Sequence, residues 1–120
     1  MRVPILKQGS FLIATVQEAL NDQDLHRLQN ELSEKIGRFR SRGVILDVTA
    51  LDVIDSFATR TLCSIADTTQ LRGAKLVIVG IQPDVAFAMV QMGLTLKGTE
   101  TALDLEEGLE LLTLKTQESH

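Results

Sequence analysis

Two strand-like runs, residues 3–7 and 11–16, flank the turn-forming Gln8-Gly9-Ser10, so the chain opens on a predicted β-hairpin. The period then changes. Leu25, Leu28, Leu32, Ile36 and Phe39 recur at helical spacing and predict one apolar stripe on a long helix. Asn21 and Asp22 offer caps at its start. Arg38, Arg40 and Arg42 suit the negative end of its dipole, and Gly43 is the expected stop.

Residues 44–48 form a nearly continuous apolar run, the pattern of a central strand covered on both faces. A polar loop over 49–55 leads into a second predicted helix over 56–71, with Leu62, Ile65, Ala66 and Thr69 toward the core and Arg72-Gly73 as its close. Residues 75–79 predict another buried strand, ended by Gly80. Pro83 suits the first turn of a short third helix with an apolar side of Val85, Ala86, Met89 and Val90, stopped by Gly93. A weak extended piece over 97–101 precedes a last helix with Asp104 and Glu107 at capping-box spacing and a stripe of Leu105, Leu109 and Leu112. Residues 115–120 are polar and are expected to fray.

Strands alternating with helices imply crossovers onto a mostly parallel sheet. The expected fold class is α/β: a single-domain small sandwich over residues 1–120, with a mixed sheet, an N-terminal antiparallel hairpin and four helices.

Composition narrows the function. A net charge of −4, four Phe and no Trp or Tyr speak against nucleic acid, which asks for clustered cations and stacking rings. One Cys and two His make a poor metal set and no internal disulfide, so neither metal nor cofactor is expected. No apolar run approaches the roughly 20 residues that span a bilayer, and the start lacks a signal-peptide pattern. A cytoplasmic location without membrane contact is the expectation.

The informative stretch is Leu51-Asp52-Val53-Ile54-Asp55-Ser56-Phe57-Ala58-Thr59, at the C-terminal end of a predicted central strand, where open α/β sheets tend to bind ligands. Ser56 and Asp55 are both good N-cap residues, so spacing alone is satisfied by a Ser56 that merely caps its helix.

The hydrophobic strand, the loop and Ile54-Asp55-Ser56 at a helix start resemble the STAS family of anti-sigma-factor antagonists. Ile5-Leu6, Asp47-Val48-Thr49, Ile54-Asp55-Ser56-Phe57, Gly73-Ala74-Lys75, Gly80-Ile81-Gln82-Pro83 and Thr101-Ala102-Leu103-Asp104-Leu105 extend the resemblance over nearly the whole chain, and toward the branch of small stressosome scaffold subunits. Phe57, where small residues are common, and Glu18-Ala19-Leu20-Asn21-Asp22, in place of the antagonists' usual signature, also favour that branch.

The resemblance implies a non-enzymatic partner switch phosphorylated on Ser56. It implies co-assembly with larger RsbR-like STAS paralogues, capture of an RsbT-like switch kinase, release on phosphorylation and resetting by an RsbX-like phosphatase. A homo-oligomer of two or more copies is also expected. Asp52, Asp55, Phe57, Thr59 and Arg60 are the expected partner-binding residues, with Ser64 bordering the same face. The alternative within the family is a free antagonist that binds an anti-sigma kinase without a large assembly.

Each neighbour also has a plainer reading: Asp55 as a cap, Phe57 as core, Arg60 as solvated surface. Cys63 reads as packing, His26 as solvated surface without an evident partner, and Met89 and Met92 as core or oligomer contacts. A phospho-receiver domain fits poorly, since Asp47 reads as lying inside its strand and no suitable Lys follows the last one. A serine hydrolase also fits poorly: Ser56 lacks the Gly-X-Ser-X-Gly elbow, and nothing in the spacing recommends His26 as its base.

Overall fold

The computed structural model describes residues 3–93 and 98–117. The elements run β1 (Ile5–Gln8), β2 (Phe11–Thr15), α1 (Asp22–Phe39), β3 (Gly43–Asp47), α2 (Ser56–Leu71), β4 (Lys75–Val79), α3 (Pro83–Gln91), β5 (Glu100–Ala102) and α4 (Leu105–Gln117). The five strands form one sheet in sequence order. β1 and β2 pair antiparallel, and every later pair is parallel. This is the expected α/β sandwich with an antiparallel hairpin at its edge and four helices.

The sheet is covered on both faces because its central strands are apolar at successive positions and must bury both sets of side chains. Leu12, Ala14, Val44, Leu46, Leu76 and Ile78 pack into one cluster with Leu28, Leu32 and Ile36 of α1, Leu62 and Ile65 of α2, and Val85 and Met89 of α3. The alternate residues Ile13, Ile45, Val77 and Val79 join Ala102 and Leu112 on the other side, under α4 alone.

The structure departs from the sequence pattern at several ends. α1 closes at Arg40, in the left-handed conformation (φ 51°, ψ 46°), with its N–H bonded to the Ile36 carbonyl. Gly43 therefore does not stop the helix but opens β3, where a Cβ would lie 2.6 Å from Leu112 Cδ1. Of the three arginines, only Arg38 lies in the last helical turn. Phe39 leaves the core stripe, because it lies over the edge strand β1 with Lys7, Lys35 and Arg38 about its ring.

α3 buries only Val85 and Met89. Nine residues make a single narrow line of contact, so Ala86 and Val90 face outward. α4 buries Gly108, Leu112 and Thr116, because two small residues let the helix approach the sheet around Leu112. Leu105 is then turned outward and Leu109 is half-buried. The extended piece is β5, shorter and later than expected, and Lys97 lies outside the described residues. Residues 115–117 do not fray: they are helical, Thr116 is buried, and Lys115 Nζ lies 3.5 Å from a Glu100 carboxylate oxygen. Asp104 caps the Glu107 N–H at 2.8 Å, while Glu107 reaches back to the Leu103 N–H at 3.3 Å.

Candidate functional site

Asp47 is the last residue of β3, not an interior one, and it shapes the loop leading to α2. Its Oδ1 accepts the Thr49 N–H at 3.0 Å and the Thr49 hydroxyl at 2.6 Å, turning the chain sharply off the sheet. Gln82 Nε2 donates to the Thr49 carbonyl at 2.7 Å, tying this loop to the one before α3. Gly80, at φ 77°, is needed beside it, since a Cβ there would collide with the Thr49 hydroxyl. Leu51 is buried and anchors the middle of the loop, leaving Asp52 and Val53 exposed.

Ile54 packs against the core and delivers Asp55 to the start of α2. Asp55 is the N-cap: its backbone is extended and its Oδ1 accepts the Ala58 N–H at 2.7 Å. Ser56 is therefore the first helical residue rather than the cap. It is exposed, and its hydroxyl makes no hydrogen bond with any described residue.

Phe57 is half-buried and meets His26 of α1 edge to face, with centroids 5.7 Å apart. His26, exposed as expected, thus does have a partner. One turn on, Gln29 Nε2 donates to the Ser64 hydroxyl, a second tie between α1 and α2. Ser64 is half-buried in that bond. Arg60 is exposed one turn after Ser56.

Thr59 corrects the expected list. It is fully buried, with its hydroxyl donating to the Asp55 carbonyl at 2.7 Å and lying 3.4 Å from Met92 Sδ. A side chain with no exposed surface supports the site from beneath and touches no partner. Met89 is core, while Met92 is partly exposed above Thr59. Between the loop and the segment before α1 lies a cleft of about 190 Å³, lined chiefly by Leu20, Leu51, Val53, Ile54 and Ala58.

Cys63 is half-buried, and burial pushes its thiol above the usual range, with the nearby Asp67 carboxylate adding to the effect. That suits packing and not a nucleophile. Among the described residues no group of three or more His, Cys, Asp or Glu could hold a metal ion. No described helix is long and apolar enough to cross a membrane.

Two contributors escaped sequence reading. His26 could not be linked to Phe57 by spacing, since 31 positions separate them. Gln82 stood beside Pro83 in plain view, but nothing local marks a side chain that bonds to another loop.

A family model for the STAS domain matches residues 2–108. The chain belongs to the STAS family. Among solved STAS structures, a serine-to-glutamate variant of Moorella thermoacetica RsbS is 36% identical, with a TM-score of 0.86 over 96% of this chain and 97% of that one. A chain of the stressosome, described as a signal integration and transduction hub, is 38% identical, with a TM-score of 0.84 over 95% and 99%. The RsbT co-antagonist protein RsbRA of Bacillus subtilis is 27% identical over 70% of this STAS chain, and its paralogue RsbRD 26% over 79%. The chain spans about a third of the length of these two curated relatives, 31% and 35%. The strand order also departs from that of receiver domains, whose first two strands are exchanged.

Proposed function

We propose that this chain is a non-enzymatic partner-switching subunit of a stressosome, controlled by phosphorylation of Ser56. Unphosphorylated, it co-assembles with RsbR-like STAS paralogues and holds an RsbT-like switch kinase against the surface formed by Asp52, Asp55, Phe57 and Arg60. Phosphorylation of Ser56 releases the kinase, and an RsbX-like phosphatase resets the switch.

The observation that carries this reading is the exposed Ser56 hydroxyl, free of bonds to the described residues because Asp55 holds the cap. A side chain without a structural duty can be modified without unfolding its helix. A phosphoryl group there adds about −1.5 to −2 charge and three acceptor oxygens. It would place a hydrated dianion beside the exposed Asp52 and Asp55 carboxylates and against whatever rests on Phe57. Similarity over nearly the whole of both chains to RsbS and to a stressosome chain supports the assembly part of the reading.

Intact-mass spectrometry after incubation with the RsbT-like kinase and Mg-ATP tests it, comparing wild type with Ser56→Ala. One phosphate on wild type and none on the variant is expected. Equal phosphorylation of both would move the site, and none on either would remove the switch. The mass of the complex formed with an RsbR-like paralogue tests the assembly: a small complex would favour a free antagonist instead.

A further inference from the structure

We propose that the hollow at the N-terminal edge of the sheet, between the ends of α1 and α2, binds a small polyphosphate. It is a space of about 620 Å³, in the size range of small-molecule sites. Arg40, Arg42, Arg72 and Lys75 line it, and among the described residues no carboxylate does. These are four of the twelve cationic residues of a chain whose net charge is −4, so positive charge is concentrated here against the overall balance.

Compensation of helix dipoles accounts for only part of that charge. α1, α2 and α4 all end at the hollow, and each C-terminus contributes roughly half a negative charge. Four full positive charges exceed those three halves. None of the four cations forms an ion pair with a described carboxylate.

One of them is held in place before any ligand arrives, and a second has room beside it. Arg42 Nη2 donates to the Thr116 carbonyl at 2.7 Å, which fixes its guanidinium and leaves further N–H groups to donate. The Arg72 guanidinium lies over Gly37, in space that any Cβ at that position would fill. Forked guanidinium groups match phosphate oxygens in pairs, and a chain of phosphates presents several such pairs at once. A single hollow with no stacking ring among its described residues suits a compact anion better than a nucleic-acid strand.

The site is separate from the switch. Five residues of β3, about 17 Å of strand, run from the hollow at Gly43 to the loop that carries Ser56. A ligand here leaves the kinase surface uncovered.

Sodium tripolyphosphate titrated into the full chain at physiological salt tests the proposal, by calorimetry and by amide chemical shifts. Saturable binding is expected, with shifts confined to residues 37–42 and 72–75. Arg72→Gln combined with Lys75→Gln should weaken it by at least about tenfold, whereas Lys7→Gln with Lys35→Gln at the Phe39 cluster should change it by less than about twofold. Should the first pair misfold, Lys75→Gln alone, at an exposed strand end, must still weaken binding. ATP run in parallel identifies whether an organic or inorganic polyphosphate is preferred at the same amides. Absence of saturation at millimolar tripolyphosphate, or equal loss in both variant pairs, overturns the site.

Discussion

Asp55 accepts the Ala58 amide proton at 2.7 Å, one position before an exposed Ser56 whose hydroxyl bonds to no described residue. The cap and the candidate switch are thus different side chains, with different consequences when removed. Asp55→Ala is expected to cost about 1 kcal/mol of stability, the ordinary worth of an N-cap. Ser56→Ala should stay within about 0.5 kcal/mol, as surface substitutions usually do. Urea unfolding of both variants decides it, and an equal loss in the two would reassign the cap.

His26 and Phe57 give a second expectation. Their edge-to-face contact joins α1 to the first turn of α2, so it steadies the helix start on which Ser56 sits. A double-mutant cycle with His26→Ala and Phe57→Ala should return a coupling of about 0.5–1.5 kcal/mol, typical of aromatic pairs. Each single variant should also broaden the Ser56 amide resonance. A coupling near zero would mean that Phe57 is positioned by its other neighbours.

Much of the fold was legible because the central strands are apolar on both faces. Val44, Ile45 and Leu46 alternate between the two clusters, as do Leu76, Val77 and Ile78. Helix faces were less legible where small residues decide them. Gly108 and Thr116 carry no apolar signal, yet they and not Leu105 lie against the sheet. At the site, the run from Ile54 to Phe57 marked the candidate loop, but both Asp55 and Ser56 are capping types, and only geometry separates them. Thr59 looked like surface because Thr usually is. Its hydroxyl lies against Met92, 33 positions away, and local pattern holds no trace of such a contact.

Cys63 should behave as a reluctant thiol. Burial raises its pKa first, and the Asp67 carboxylate raises it further. The native protein therefore disfavours the thiolate relative to the unfolded chain, whose thiol ionises near about 8.5. Stability associated with Cys63 is complete below that value and declines as pH rises above it. Alkylation by iodoacetamide, followed against pH, should show a midpoint above that of the urea-unfolded chain. Asp67→Asn should move the native midpoint down. A native midpoint at or below the unfolded one would restore Cys63 as a candidate nucleophile.

Phosphorylation of Ser56 should change what the chain binds far more than how firmly it folds. A phosphate at the first helical residue gains about 0.3–1 kcal/mol from the helix N-terminus when exposed. The carboxylates of Asp52 and Asp55 oppose it from the same exposed loop. These effects act in opposite directions, so the unfolding free energy of the phosphorylated chain should lie within about 1 kcal/mol of the unmodified one. A docked kinase has no such compensation, because it must accept a hydrated dianion where a hydroxyl stood. Its affinity should fall by at least about tenfold, or 1.4 kcal/mol. Calorimetric titration of the RsbT-like kinase into both forms, alongside urea unfolding, separates the two quantities. Unchanged affinity would remove Ser56 as the release switch, whereas a large loss of stability would make release a consequence of unfolding rather than of charge at the docking surface.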